Sequence, residues 1–377
     1  MGGPLKQSIT AVALTACALF AAACGRSAPA GGAIEVSRVL GEPGSSPGQL
    51  AYARAIAADL DPSGSGRLVV IDKSARIQIL DAETGDLIDG WRTPARELGK
   101  PVGITIGPHP TKPAERALWV GDTHYHRVLV YEFREPPSDR FEFEPREPIL
   151  SFGEFGRDPG QFIYVTDVAV LPSGDPASPV ARVYVGEYGD NDRVTVFEPT
   201  GDPKRPFEPA FEFGSFGSEP GTPGRRDGIG FIRPQAVELD LARRELLISD
   251  AVNHRLGRFT LDGELIAWID GTAGFLDAGA TPPALRYPYG MTVLEDGEIL
   301  LAEFGGGRIR HLDLDSGETL GIYGEPGRGD GQLASPWGVE AIGREAFALD
   351  SASGRVLVFE SPGRALRARA GSDVVSR

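Results

Sequence analysis

The stretch Ser249–Phe259, SDAVNHRLGRF, sets an acid, an amide, an imidazole and a guanidinium within six residues. Such a group is either a reactive cluster or the corner of a scaffold. Copies elsewhere in the chain decide between them, since an active site is built once and a scaffold corner recurs. An apolar run, an acid, a short gap, then Arg and a second apolar run occurs six times. The acids are Asp72, Asp122, Glu187, Asp250, Glu303 and Asp350, and the arginines are Arg76, Arg127, Arg193, Arg255, Arg308 and Arg355. Each copy reads as a β-hairpin, two Val/Ile/Leu-rich runs around a polar turn. Six copies of the pair argue for a structural role in which charge-assisted hydrogen bonds hold the turn.

Ahead of each hairpin lies another short strand phrase: ARAIAADL at Ala53, PVGITIG at Pro101, VTDVAVL at Val165, PQAVELD at Pro234, PYGMTVL at Pro288 and PWGVEAI at Pro336. A fourth run usually follows, as in GELIAWIDG from Gly263. The 50 glycines and 31 prolines among 377 residues suit a chain with this many turns. Four-stranded units with two apolar faces are not stable alone. Six of them arranged radially bury one another's faces, which predicts an all-β, six-bladed β-propeller with four-stranded blades. IEVSRVLGEPG, from Ile34, matches the outer-strand phrase and is expected to complete the last blade; GRALRARAG, from Gly363, is the alternative closing strand.

The phrases GEFGRDPGQF, VTDVAVL and RVYVGEYGDNDRVTVF together resemble one NHL repeat, and SDAVNHRLGRF resembles its signature hairpin. The resemblance runs from about residue 35 to about residue 360 and implies a six-bladed NHL propeller. Blade one departs from it, its turn DKSAR being one residue short.

The chain begins differently. Lys6 precedes the apolar run ITAVALTACALFAAAC, Ile9–Cys24, with no acid before it, which reads as a secretory signal. The only cysteines, Cys17 and Cys24, lie there, and LTAC and AAAC both resemble the lipobox of bacterial lipoproteins. Cys24 is preferred as the lipidated residue because the polar tether GRSAPAGGA follows it. The expected organisation is a signal over 1–23, a lipid-anchored tether over 24–33, a propeller over 34–362 and a tail over 363–377. The domain would then lie in the cell envelope outside the cytoplasm, meeting the membrane through the anchor alone. The formal charge of −15 becomes −16 on loss of Lys6, which argues against nucleic acid as a partner.

Function is expected where the blades differ. Strand polarity puts the start of each inner strand and the middle hairpins on one face of the ring. The candidate ligand-binding residues at the channel mouth are Arg54, Thr166, Asp167, Gln235, Tyr289 and Trp337, beside Val102. The hairpins add His124, His126, Asp190 and His254, and a metal set of His124, His126 and Glu187 has the donor types that zinc or calcium takes. Some NHL propellers are zinc-dependent peptide-amidating lyases, and WVGDTHYHRVLVYEF loosely resembles a ligand hairpin of theirs; the Glu, Asn and Asp set of gluconolactonase-like propellers has no counterpart here. Gly-x-Ser-x-Gly elbows and phosphate-binding Gly-rich loops are absent. No catalytic residue is therefore assigned and no cofactor is expected. The preferred expectation is a binding or scaffold module for an envelope protein, peptide or small polar ligand, and the alternative is a metal-assisted lyase or hydrolase on the same face. On the opposite face, long insertions in blades two and three carry Phe141, Phe143, Phe207 and Phe211 among acids and prolines. These aromatics are expected to pack outer strands, the other reading being a docking edge.

Overall fold

The computed structural model describes residues 31–61, 63–133, 143–276 and 279–364, with the side chain of residue 296 left aside. The signal segment, Cys17, Cys24, Phe141 and most of the C-terminal tail lie outside these residues. No helix among the described residues is long and apolar enough to cross a membrane.

Six four-stranded antiparallel sheets follow one another. Their inner strands are Ala53–Leu60, Gly103–Pro108, Tyr164–Pro172, Pro234–Asp240, Pro288–Val293 and Pro336–Ile342. Each inner strand packs beside the next, and the sixth beside the first, so the ring is closed. The molecule is a six-bladed β-propeller. The last blade is completed by Val36–Leu40, which pairs antiparallel with Arg355–Glu360, as the alternation in IEVSRVL predicts. Arg38 on this strand donates to the Glu345 carboxylate at 2.5 and 2.9 Å. Chain ends are thus joined by a ladder and an ion pair.

Every repeated acid–arginine pair is an ion pair, at 2.6 Å for Asp72–Arg76, 2.9 Å for Asp122–Arg127 and 2.8 Å each for Glu187–Arg193, Asp250–Arg255 and Glu303–Arg308, with 3.4 Å for Asp350–Arg355. The pairs do more than close hairpins. The acid accepts from a backbone N–H of the loop that enters the blade: Ala51 for Asp72, Ile163 for Glu187, Ile232 for Asp250, Arg286 for Glu303 and Ala334 for Asp350. The arginine donates to carbonyls of the same loop, as Arg76 does to Ser45 and Gln49 and Arg255 does to Gly230. Each clamp therefore ties the turn of one blade to the connection arriving from its neighbour.

Blade two is the exception. Asp122 Oδ1 and Arg127 Nη2 are both buried without a hydrogen-bond partner among the described residues.

The histidines of two corners have a backbone role. His126 and His254 occupy the left-handed position that ends the turn, both with φ of 57°, where blades five and six use Gly307 and Gly354. The insertions also find their place. Phe143 packs under the guanidinium of Arg76 at 5.1 Å, and Arg146 lies 3.9 Å over Trp91 while pairing with Asp89. Phe207 is buried against Trp119 and Phe152, and Phe211 carries Arg182 and Arg226. These aromatics cover blade edges.

Asp250→Ala takes the carboxylate from half-buried Arg255 and leaves the Ile232 N–H without its acceptor, so it should cost about 1–3 kcal/mol of stability. Asp122→Ala, in a corner already lacking loop contacts, should cost distinctly less. Chemical denaturation of both variants checks the ordering.

Candidate binding site at the channel mouth

The inner strands come closest where side chains are smallest. Ala55, Gly103, Asp167, Ala236, Gly290 and Gly338 share one register position. A Cβ on Gly103 would sit 2.5 Å from Asp167 Cα, and one on Gly290 would sit 3.0 Å from Gly338 Cα. The throat that remains has a cavity of about 50 Å³, room for a few waters. Ligands of larger size must therefore lie across the mouth.

Asp167 is the one acid at this level. Its carboxylate accepts from Val237 N at 3.0 Å and also from the backbone of Ile104 and Val168, so it pins the inner strands of blades two, three and four. Two residues further along the strands stand Glu238 and Glu340, which also line the throat. Burial without a cationic partner raises Asp167 to about 7 and Glu238 to about 8, and burial with Glu238 nearby holds Glu340 well above the ordinary carboxylate range.

Above the throat, aromatic and cationic side chains alternate around the mouth. Trp337 meets Tyr289 edge-on at 5.1 Å and Tyr52 at 6.2 Å, and Tyr289 stacks on Phe304 at 4.8 Å. Arg54 lies 4.8 Å over Trp337, and Lys73 caps Tyr52 at 5.7 Å. On the far side Arg233 lies 5.6 Å over Tyr289 and 5.1 Å over Tyr188. Tyr188 meets Tyr164, which leads through His126 to Phe155 at the rim. Five of the six blades contribute to this collar by Arg54, Tyr188, Arg233, Tyr289 and Trp337 alone, except blade two, whose His124 packs on Tyr164 at 5.5 Å.

Of the residues that the sequence nominates, Arg54, Tyr289 and Trp337 come together here. Trp337 and Tyr289 are only 6% and 3% exposed, so they serve as the walls of the mouth. Gln235 accepts from Arg233 Nε at 2.8 Å and holds that arginine in place. Two nominations are corrected. Thr166 does not face the mouth: its hydroxyl donates to the Pro234 carbonyl at 2.6 Å, between blades. Asp167 is occupied by backbone donors, as described above.

The metal set is also corrected. Glu187 accepts from Ile163 N, Asn191 and Arg193, so its carboxylate belongs to the clamp. His126 Nδ1 faces the Ile163 carbonyl and His124 packs on Tyr164. The three do not converge. Among the described residues, the one group of three with donor atoms within 4.8 Å of one another is His109, Glu115 and Glu132. His109 Nδ1 accepts from the backbone of Thr111 and Lys112 at 3.1 Å. That leaves the proton on Nε2, 3.7 Å from Glu132, and an N–H cannot ligate. Lys112 Nζ already takes the same Glu132 oxygen at 2.8 Å. The donor set does not fit a metal.

Sequence reading by strand phrases overlooked Tyr52, Tyr164, Arg233 and Phe304. Tyr52, Lys100, Arg233 and Tyr287 each precede an inner strand with φ between 49° and 90°, a region that residues with a Cβ seldom adopt. Aligning the repeats one residue earlier would have brought this variable position into view.

No family model and no curated protein matches the chain. Among solved structures it is similar to the selenomethionine-substituted virginiamycin B lyase from Staphylococcus aureus, with 14% identity, 81% of this chain and 80% of that chain covered, and a TM-score of 0.45. It is also similar to the WD40 β-propeller domain of Doa1, with 11% identity, coverage of 86% and 96%, and a TM-score of 0.47. Neither likeness bears on activity.

Three outcomes follow from this geometry. Trp337→Ala should cost about 3–5 kcal/mol by cavity formation. Arg54→Gln should unfold at nearly the wild-type midpoint, because Arg54 makes no hydrogen bond or ion pair with the described residues. For the throat acids, the folded state holds protons that the unfolded chain has released between the ordinary carboxylate range and pH 7–8. Their contribution to stability therefore falls as pH rises through that window. Thermal midpoints measured from pH 5 to pH 8 should decline, and the decline should shrink in Glu238→Gln.

Proposed function

We propose that the protein is a non-catalytic binding module whose mouth face docks an envelope protein or peptide, and that it is a divergent NHL-type propeller held at the membrane through Cys24. One observation carries the docking reading. Of the nine large apolar residues that stand exposed among the described residues, five lie on this face, in entry loops or hairpins: Leu98, Phe155, Phe216, Val252 and Tyr287. Phe155 and Phe216 are 66% and 56% exposed and occupy the same loop position in blades three and four, where blades one and six have Pro43 and Pro326. Exposed aromatics set in rigid loops suit partner recognition, since little conformational freedom is lost on contact.

The partner's chemistry follows from the charge. The chain carries −15 overall, yet Arg54, Arg233 and Lys73 lie around the mouth, and none of them forms an ion pair among the described residues. An acidic segment bearing apolar side chains complements both the centre and the rim. The metal-assisted alternative lacks support in the donor geometry, since Glu187 is engaged by three donors.

Phe155→Ser combined with Phe216→Ser should leave the thermal midpoint nearly unchanged and abolish recovery of partners from detergent-solubilised envelope. Full recovery by the double variant would refute the mouth face as the docking surface.

A further inference from the structure

Arg54 is held in an unusual state for a buried-side guanidinium. Its Nε is buried with no hydrogen-bond partner, and no described carboxylate pairs with it. Its nearest neighbours are the faces of Trp337 and Tyr52, at 4.8 and 5.6 Å. Across the mouth, Arg233 spends only Nε on Gln235 and otherwise lies against Tyr188 and Tyr289. The two are close enough that Arg233 disfavours the charge on Arg54, adding to the effect of burial.

Two partly desolvated cations without counter-ions are costly unless something outside the chain completes them. The clamps show what this protein does with arginines it uses structurally. Arg76, for instance, has Asp72 and four loop carbonyls around it. Arg54 and Arg233 are left out of that scheme at the point where the channel opens.

The geometry points to a carboxylate-binding site between Arg54 and Arg233, which anchors an acidic side chain or C-terminus of the docked partner against Trp337 and Tyr289. This rests on the docking reading and adds the chemical identity of its central contact. Arg54 lies over Trp337 and Arg233 over Tyr289, two rings that meet edge-on at 5.1 Å, so one aromatic pair carries both guanidiniums, and a carboxylate set against them takes the guanidinium fork. The throat below is too narrow to admit more than the head group.

The test uses protein labelled with 5-fluorotryptophan, whose four tryptophans are Trp91, Trp119, Trp268 and Trp337. Hippurate, its neutral analogue hippuramide and phenyl phosphate are titrated separately and followed by fluorine NMR. Hippurate should move the Trp337 resonance and leave those of Trp91 and Trp119, buried within blades, in place. Hippuramide should bind more weakly by roughly ten- to a hundredfold, the range for losing a charge-assisted pair. Arg54→Gln and Arg233→Gln should each lower hippurate affinity while the Trp337 signal keeps its folded position. Equal shifts from hippurate and hippuramide would overturn the carboxylate site and leave the docking face standing. A response to phenyl phosphate alone, or none from hippurate, would overturn it as well. Loss of docking in the rim double variant with hippurate binding intact would show that the two claims are separable.

Discussion

A sheet that is apolar on both faces has nowhere to put them except against other sheets. In this chain the condition is met by wrapping six wedges around an axis, so that every blade has two neighbours and none has a bare face. Core residues of adjacent blades mix accordingly, as where Ile56 and Leu68 of blade one join Phe347 and Val356 of blade six. Closure is the constraint on which everything else depends, because a ring missing one junction exposes two faces at once. The Val36–Leu40 strand meets it by making the last blade from both ends of the propeller, and Arg38–Glu345 fixes its register.

Closure alone would leave the connections between blades loose. The acid–arginine clamps remove that freedom by using buried charges, which are expensive to desolvate, only where each finds several partners. Asp250 takes Arg255, Asn253 and the Ile232 N–H together. The consequence reaches the mouth. Entry loops tied at their base can vary at their tips, and so the same loop position carries Pro43 in one blade and Phe155 in another without altering the strands beneath.

How far this was legible in the sequence depended on repetition. The recurring acid, turn and arginine told the blade count, the strand order and the N-terminal closing strand, because periodic features are seen against one another. Arg54, Tyr289 and Trp337 could be placed at the mouth from strand polarity alone. Thr166 shares their register and the bulge found there in their blades, but its short side chain donates its hydroxyl to the nearby Pro234 carbonyl and lies between blades. The partnering of Arg233 with Tyr188 and Tyr289 joins three blades, and contacts of that separation leave no mark in a local pattern. Glu187 misled for the opposite reason: a carboxylate beside histidines reads as a ligand until its three donors are seen.

The channel places acids below and cations above, and the two sets do not neutralise each other. Asp167 is held by backbone N–H groups and not by Arg54, while Glu238 and Glu340 lie one register step deeper in the throat. Burial lifts Glu238 to about 8 and Asp167 to about 7, so near neutrality much of this acid is protonated. The field that a visitor meets at the opening is then that of Arg54 and Arg233, undiminished by the carboxyls beneath them. An acidic protein with a locally cationic, aromatic mouth thus arises from two separate uses of burial. Desolvation silences the throat acids, which can shed their charge by taking a proton. The guanidiniums cannot shed theirs in the same range, and so the collar keeps a charge that only an outside anion can complete.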